Sequence, residues 1–530
     1  MANPQTTRVA VVGAGISGVL AAGHLLATGL EVTVFERNAA PGGVWLYDER
    51  TPIEPSYPAM KPSKADPPAT NEQETSRFML QHAPPGPCYY NLQNNVPTPL
   101  LEVSLKPWPD GTPDTVRHDV IQRFIQDMSI EAKVHDVTRY GARVKKVVKN
   151  GAEWKITWST PQVGLQSETS EFEQVSVSHY IPGLSDTKRK YGSRILHSKE
   201  YRRPENFRNK ESRRSTSPTI SVHSPTPFTR ARGTVNSISL RVCSPRTGDE
   251  PLSDDEPLPL TIHFESGQNL HGIHMIMLCT GYHITFPYLE EYHSDETTLQ
   301  DADENILITD GTQVHNLYQD IFYIPDPTLV FVGLPYYTFT FSIFDFQAIV
   351  VAQVLSGTVQ LPTETEMRSE YNAKVERVGL GKRRSLSRLK GLARDDRNTE
   401  LRLTSILPRG SFSTRVPLHM AVEYFQEKLN KWRYSPVAGS PDEEGGNATV
   451  KPKYEYSNHF LCASICRTYH HKSHYSDRLS CPPPLWNRNN DNIPPLQESC
   501  PKLHTGSHLS GKYSVDAIVR PPFYPGIDTR

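Results

Sequence analysis

The run Gly13-Ala14-Gly15-Ile16-Ser17-Gly18 has the spacing to hold a diphosphate, and Glu36, eighteen residues past its last glycine, has the position to hold a ribose. Gly13 permits a tight turn and Gly15 lets backbone N–H groups approach a pyrophosphate. Gly18 lets the following helix pack on the preceding strand. The oxygens of Glu36 can accept from both ribose hydroxyls, whereas its charge would repel a 2′-phosphate. This first site therefore predicts the adenosine of FAD or NAD and disfavours NADP. Arg37 argues the other way, but behind the acid it reads as a solvated strand end. A second run, Pro41-Gly42-Gly43-Val44-Trp45, adds two glycines for close backbone approach and a large flat ring, which a plain NAD dehydrogenase does not need.

Such residues act only where regular structure positions them. Val9 to Val12 is a short apolar run of the kind a buried parallel strand needs. A helix is predicted over Ile16 to Ala27, ended by Thr28-Gly29, and a second strand over Glu31 to Phe35. Strand, glycine turn, helix, strand and acid thus fall in order within one βαβ length, with the diphosphate on the helix N-terminus.

The opening resembles the flavin-containing monooxygenases, whose first Rossmann unit binds FAD and is followed by a Gly-Gly-x-Trp turn. The resemblance is to a fungal-type member, an N,N-dimethylaniline monooxygenase type of enzyme, and implies that Gly43, Val44 and Trp45 lie beside the flavin. It extends to Tyr89-Tyr90-Asn91-Leu92-Gln93-Asn94-Asn95-Val96-Pro97, which is similar to the family's Tyr-x-x-Leu-x-Thr-Asn-x-Pro segment. Asn95 takes the place of the active-site asparagine, and Asn94 stands beside it for the usual threonine as a cofactor neighbour. The chemistry suits an amide. A flavin C4a-hydroperoxide survives only beside a group that hydrogen-bonds it without expelling it as H2O2, and a carboxamide donates and accepts without titrating. Read from residue types alone, an Asn-Asn pair near prolines is equally a turn.

Further on, Tyr191-Gly192-Ser193-Arg194-Ile195-Leu196-His197-Ser198-Lys199-Glu200-Tyr201 resembles the family's F-x-G-x-x-x-H-x-x-x-Y/F motif, to which no catalytic chemistry is assigned. Cys279-Thr280-Gly281-Tyr282 is similar to the step at which the family's chain crosses back into the FAD domain, and places Thr280 and Gly281 close to that cofactor. Asp345 and Gln347 keep the spacing of the family's Glu-x-Gln, which faces the flavin edge. The resemblance implies FAD and NADPH as cofactors. It also implies a small-molecule nitrogen or sulfur nucleophile and O2 as substrates, and a C4a-hydroperoxyflavin as the oxygenating species. It covers roughly residues 8 to 201 and 260 to 360.

One part of the pattern is missing. In the family a second strand and a second glycine turn follow the motif and hold NADPH. Here, between Phe207 and Gly267, the glycines are Gly233 and Gly248, too few and too far apart for a phosphate turn. Ser, Pro, Arg and Asp dominate that stretch, as in a linker. Binding of NADPH by this chain is therefore open on its residues. Two other readings stay beside the monooxygenase: a homologue that binds FAD without turnover, degenerate or from an incompletely read gene, and an FAD-linked oxidase fed directly by its substrate.

The fold class that follows is α/β. It comprises a Rossmann-like (GR2-type) FAD-binding domain over 1–185 and 260–433, a degenerate NADPH-domain remnant or linker at 186–259, and a disordered tail at 434–530. A helix is predicted within 115–132, strands within 143–148, 154–158, 261–264 and 273–279, a surface loop over 51–69, and a core helix over 344–355. With 530 residues, two to four domains fit. Lys and Arg number 57 against 58 Asp and Glu, so no net field would draw the chain to nucleic acid or an anionic membrane. Seven scattered cysteines lack paired metal-ligand spacing, which predicts no metal and a reduced, cytoplasmic setting. No stretch reads as a signal peptide or membrane span. Oligomeric state is not legible.

Overall fold

In a computed structural model the described residues are 6–53, 61–64, 75–161, 183–207, 219–223, 238–242, 256–264, 267, 269–279, 282–334, 340–381, 510–515 and 517–520. In chain order the flavin-side opening is β1 (Arg8–Val12), α1 (Ile16–Ala27) and β2 (Glu31–Glu36). There follow α2 (Thr75–His82), α3 (His118–Glu131), β3 (Thr138–Tyr140), β4 (Arg143–Asn150) and β5 (Glu153–Ser159). The middle holds α4 (Leu184–Tyr191), β6 (Ile195–His197), β7 (Thr219–His223), β8 (Ile238–Val242), β9 (Leu260–Phe264), β10 (Asn269–Leu270) and β11 (Met275–Cys279). The chain returns through β12 (Leu317–Tyr318), β13 (Phe322–Tyr323), β14 (Leu329–Phe331), α5 (Thr340–Leu355) and α6 (Glu364–Val378), and the last strands are β15 (Ser510–Val515) and β16 (Ala517–Arg520).

The principal sheet has seven strands in the order β12-β13-β14-β16-β1-β2-β3. From β14 to β3 all neighbours are parallel, and β12 and β13 add an antiparallel edge. Alternation along β1 sorts its side chains between two cores. Val9 and Val11 join α1, α3 and α5 in one apolar cluster, while Ala10 joins Phe35, Trp154, Ile156 and Phe331 in another. The second cluster is covered by the β15-β5-β4 meander. This is the doubly covered α/β arrangement the sequence predicts.

The middle region has its own core: Leu184, Tyr191, Ile195, Leu258, Leu260, Ile262, Phe264, Ile273, Ile276 and Leu278. It carries two three-stranded sheets, β10-β9-β8 and β6-β11-β7. The expected boundary at 259/260 therefore needs correction, because β9, β10 and β11 pack with α4 and β6 and not with the flavin-side clusters. A boundary after β11 respects the cores.

Most of 434–530 lies outside the described residues, but β15 and β16 are regular. Ala517-Ile518-Val519 pairs in parallel with Val9-Ala10-Val11, and Ile518-Val519-Arg520 with Leu329-Val330-Phe331, so β16 sits in the middle of the principal sheet. Four apolar-to-basic residues at the end of a polar segment carry no local signal of that role.

Among the described residues no helix is long and apolar enough to cross a membrane.

Candidate flavin site

The first turn is built from backbone. Gly13 has φ +102° and donates its N–H to the Phe35 carbonyl at 2.7 Å, tying the end of β1 to β2. Gly15 is the N-cap of α1 in extended conformation, with no side chain capping the helix and no acid in its first turn. The free N–H groups there, with the helix dipole behind them, can take an anion. Ala14, Ile16, Ser17 and Gly18 are buried, so their contribution to a diphosphate is through backbone.

A second glycine turn interlocks with the first. Gly42 N donates to the Ala14 carbonyl at 2.9 Å, and Gly43 has φ +56°. A Cβ on Gly43 would lie 2.8 Å from the Gly15 Cα, closer than real Cβ contacts come. The two glycine backbones are therefore in contact, and any side chain at Gly43 would push them apart. Val44 is half-buried on the main core, and Trp45 is buried with its ring edge-on to Phe341 of α5, centroids 6.4 Å apart.

Glu36 stands at the end of β2, 4% exposed. One oxygen accepts from Ala14 N at 2.7 Å; the other accepts from Asn38 N at 2.8 Å and Asn38 Nδ2 at 2.7 Å. Its carboxylate thus touches the glycine turn, where a ribose attached to a bound diphosphate would meet it. The adjoining strand end holds His82, whose Nε2 lies 2.8 Å from the Gly141 carbonyl. Burial pushes the His82 imidazole down to about 4, and Arg143, Lys145 and Arg37 add to the effect, outweighing the opposing pull of that carbonyl contact.

Of the asparagine pair, the structure separates the two roles. Asn94 is 7% exposed and its amide is spent inside its own loop. Its Nδ2 donates to the Val96 and Asp114 carbonyls, each at 2.8 Å, and its Oδ1 accepts from Val116 N at 2.6 Å. Asn94 thereby pins its loop. Asn95, the next residue, is exposed at the tip. Thr280 and Gly281 lie outside the described residues.

Asp345 and Gln347 both bond within the protein. Gln347 Oε1 accepts from Gly333 N at 2.7 Å, and Asp345 turns to α1, with His24 Nε2 at 2.7 Å and Ser104 N at 2.7 Å. The His197 motif forms a cap. His197 is fully buried, its Nδ1 accepts from Lys199 N at 3.2 Å, and Glu200 Oε1 accepts from His197 N at 2.6 Å. Residue types did not single out Arg202, which follows the motif. Arg202 is 7% exposed and donates to the carbonyls of Arg50, Lys199 and Tyr201 at 2.9 to 3.0 Å, joining the segment after Trp45 to the motif.

Other chemistries find less support. Among the described residues no group of three or more His, Cys, Asp or Glu could hold a metal. Burial pushes the Cys88 thiol up to about 12, so it is no nucleophile.

The residues present fit FAD: a glycine cradle closed to side chains, an acid-free helix N-terminus, and a carboxylate at the glycine turn. In the middle region β11 pairs in parallel with β6 but antiparallel with β7, and among the described residues no glycine turn joins a strand to a helix there.

Comparison with known proteins gives the family. Residues 11–61 match the NAD(P)-binding Rossmann-like domain and residues 259–391 match the flavin-binding monooxygenase-like family. The flavin-containing monooxygenase ustF2 of Aspergillus flavus is 80% identical over 438 residues, covering 72% of this chain and 89% of that protein. The flavin-containing monooxygenase ustF1 of the same fungus is 36% identical, covering 72% and 78%. Among solved structures, S-allyl-L-cysteine S-oxygenase of Allium sativum aligns over 81% of this chain and 89% of its own, at 19% identity and a TM-score of 0.47. The chain belongs to the flavin-containing monooxygenase family: it is a flavin-dependent monooxygenase, with the FAD and NADPH of that family as its cofactors.

Proposed function

We propose that the enzyme oxygenates a nitrogen or sulfur nucleophile in a small molecule, by way of a C4a-hydroperoxyflavin formed from FAD, NADPH and O2. When bound, FAD supplies the oxygen-transfer chemistry, and the protein's residues bind, orient and exclude water. In this reading backbone from Gly13 to Gly18 takes the diphosphate and Glu36 the ribose. Gly43, Val44 and Trp45 flank the flavin, with Thr280 and Gly281 nearby, and Asn95 presents its amide without offering an acid. The observation that carries the reading is the interlock of Gly15 and Gly43 over a helix N-terminus free of acids. Residues 8–161, 282–381 and 510–520 would form the flavin half, and 183–279 the remnant of a nicotinamide domain. A cytoplasmic setting, suggested by the scattered cysteines, belongs to the same proposal.

A second reading, an FAD protein without turnover, is favoured by the middle region, where among the described residues no glycine turn joins a strand to a helix. Anaerobic mixing of the purified yellow protein with NADPH separates the two. Bleaching of the flavin band, followed by oxygenation of an amine or thioether on admitting O2, is the expected result. A band that stays yellow with NADPH would sink the monooxygenase reading for this chain, and bleaching by an amine alone would mark an oxidase.

A further inference from the structure

Three elements of the flavin half meet at one buried carboxylate. Asp345, on α5, is 4% exposed. Its Oδ1 lies 2.7 Å from Nε2 of His24, which is on the face of α1 two turns beyond the glycine turn. Its Oδ2 accepts from the backbone N–H of Ser104 at 2.7 Å, and the Ser104 hydroxyl lies 3.5 Å from the same His24 nitrogen. The neighbouring Ser342 donates to the Glu102 carbonyl at 2.6 Å, and Phe341, one residue earlier, meets Trp45. One helix therefore grips α1, the segment 100–104 that continues the Asn95 loop, and the ring of the second glycine turn.

We propose that Asp345 is a positioning residue, which through Ser104 and His24 sets the Asn95 loop at a fixed distance from the glycine cradle. A buried carboxylate that has left water is held by the groups it bonds, and both its oxygens here are spent on elements other than its own helix. Packing alone needs no charge at that point, and an apolar residue of similar size would fill the α1–α5 seam. What the acid adds is direction: a backbone N–H and an imidazole can be met together only if loop and helix keep one register. Since α1 carries the diphosphate cradle at its other end, a shift of the loop against α1 moves Asn95 relative to bound flavin without emptying the cradle. The inference rests on Asn95 as the flavin-facing amide.

The test uses the FAD-loaded full chain with the substitutions Asp345→Ala, Asp345→Asn and His24→Gln. Hydrogen exchange of the Ser104 amide is expected to quicken about tenfold or more in Asp345→Ala, the scale of a lost charge-assisted hydrogen bond, and less in Asp345→Asn, which keeps an acceptor. FAD affinity is expected to stay within about threefold while the share of NADPH consumption that ends as H2O2 rises at least about twofold. Unchanged exchange at Ser104 overturns the proposal. So does quickened exchange with an unchanged flavin absorption band and unchanged peroxide share, since that is a structural tie alone. If Asp345→Ala does not fold, the other two variants give the same readings. If the wild-type chain consumes no NADPH, the parent reading fails, and exchange together with the flavin band decides this one.

Discussion

The flavin half and the middle region are both sheets over apolar cores, yet among the described residues only the flavin half carries a glycine turn from strand to helix. In the flavin half, β1, β2 and β16 are parallel, and the strand-to-helix step carries glycines whose backbones touch. In the middle region the core from Leu184 to Leu278 is as well buried, but β7 runs antiparallel beside β11 and the glycines stand alone. Gly272 has φ +68° and nothing within 4 Å of where a Cβ would be. A core specifies that a region folds, whereas a phosphate turn depends on a few positions where a side chain cannot be tolerated. The second property can be lost while the first persists.

That contrast can be broken at Gly43. Gly43→Ala places a methyl 2.8 Å from the Gly15 Cα at a positive φ, so the cradle must open. Flavin affinity is expected to fall about 100-fold or more, on the order of 3 kcal/mol, read as flavin retained through gel filtration and by fluorescence titration. Retention of flavin by this variant would show that the interlock is incidental.

Acid should loosen the flavin half next. His82 is held neutral in the fold, down to about 4, while in the unfolded chain it takes a proton near 6.5. Between those values the unfolded state binds more protons. Stability therefore falls as pH drops from about 6.5 towards 4, by up to roughly 3 kcal/mol. Thermal melting across that window in the wild type and in His82→Phe checks it, and the variant should flatten the slope.

Glu36→Gln keeps the shape and removes the charge. FAD affinity should fall about tenfold, the scale of one charge-assisted hydrogen bond, and affinity for NADP should not appear in exchange, because the substitution adds no cation. Titration with both nucleotides decides this. The smallest effect is expected in the other region. Gly272→Ala should cost about 1 kcal/mol for its backbone conformation and leave flavin content unchanged, as measured by melting and absorbance.

Much of the flavin half was legible because its signals are local. The helix expected over Ile16 to Ala27 has those bounds, since Gly15 precedes it and Gly29, at φ +84°, follows it. Glu36 and Gly43 were legible for the same reason. The helix α6 is written locally too, in a capping box of Thr363 and Glu366. Other features depend on distant partners. Which of two adjacent asparagines is buried is decided by Val116, twenty-two residues on, and residue type says nothing of it. Asp345 keeps the spacing of a flavin-edge acid but is claimed by His24 and Ser104, contacts across 321 and 241 residues. The strand β16 is the extreme case, for its neighbours are set by the two strands that flank the gap it fills.

The placement of β16 has a consequence for manufacture of the protein in the cell. Its partners at Val9 to Val11 and Leu329 to Phe331 emerge from the ribosome long before Ala517 is added. At roughly 5 to 20 residues per second the sheet waits on the order of ten seconds or more after Phe331 for its central member. During that interval β1 and β14 present unpaired edges, the kind of surface that recruits foreign strands. Flavin capture is thereby tied to the arrival of β16, and a chain stalled before it would hold a glycine turn with no finished sheet beneath it.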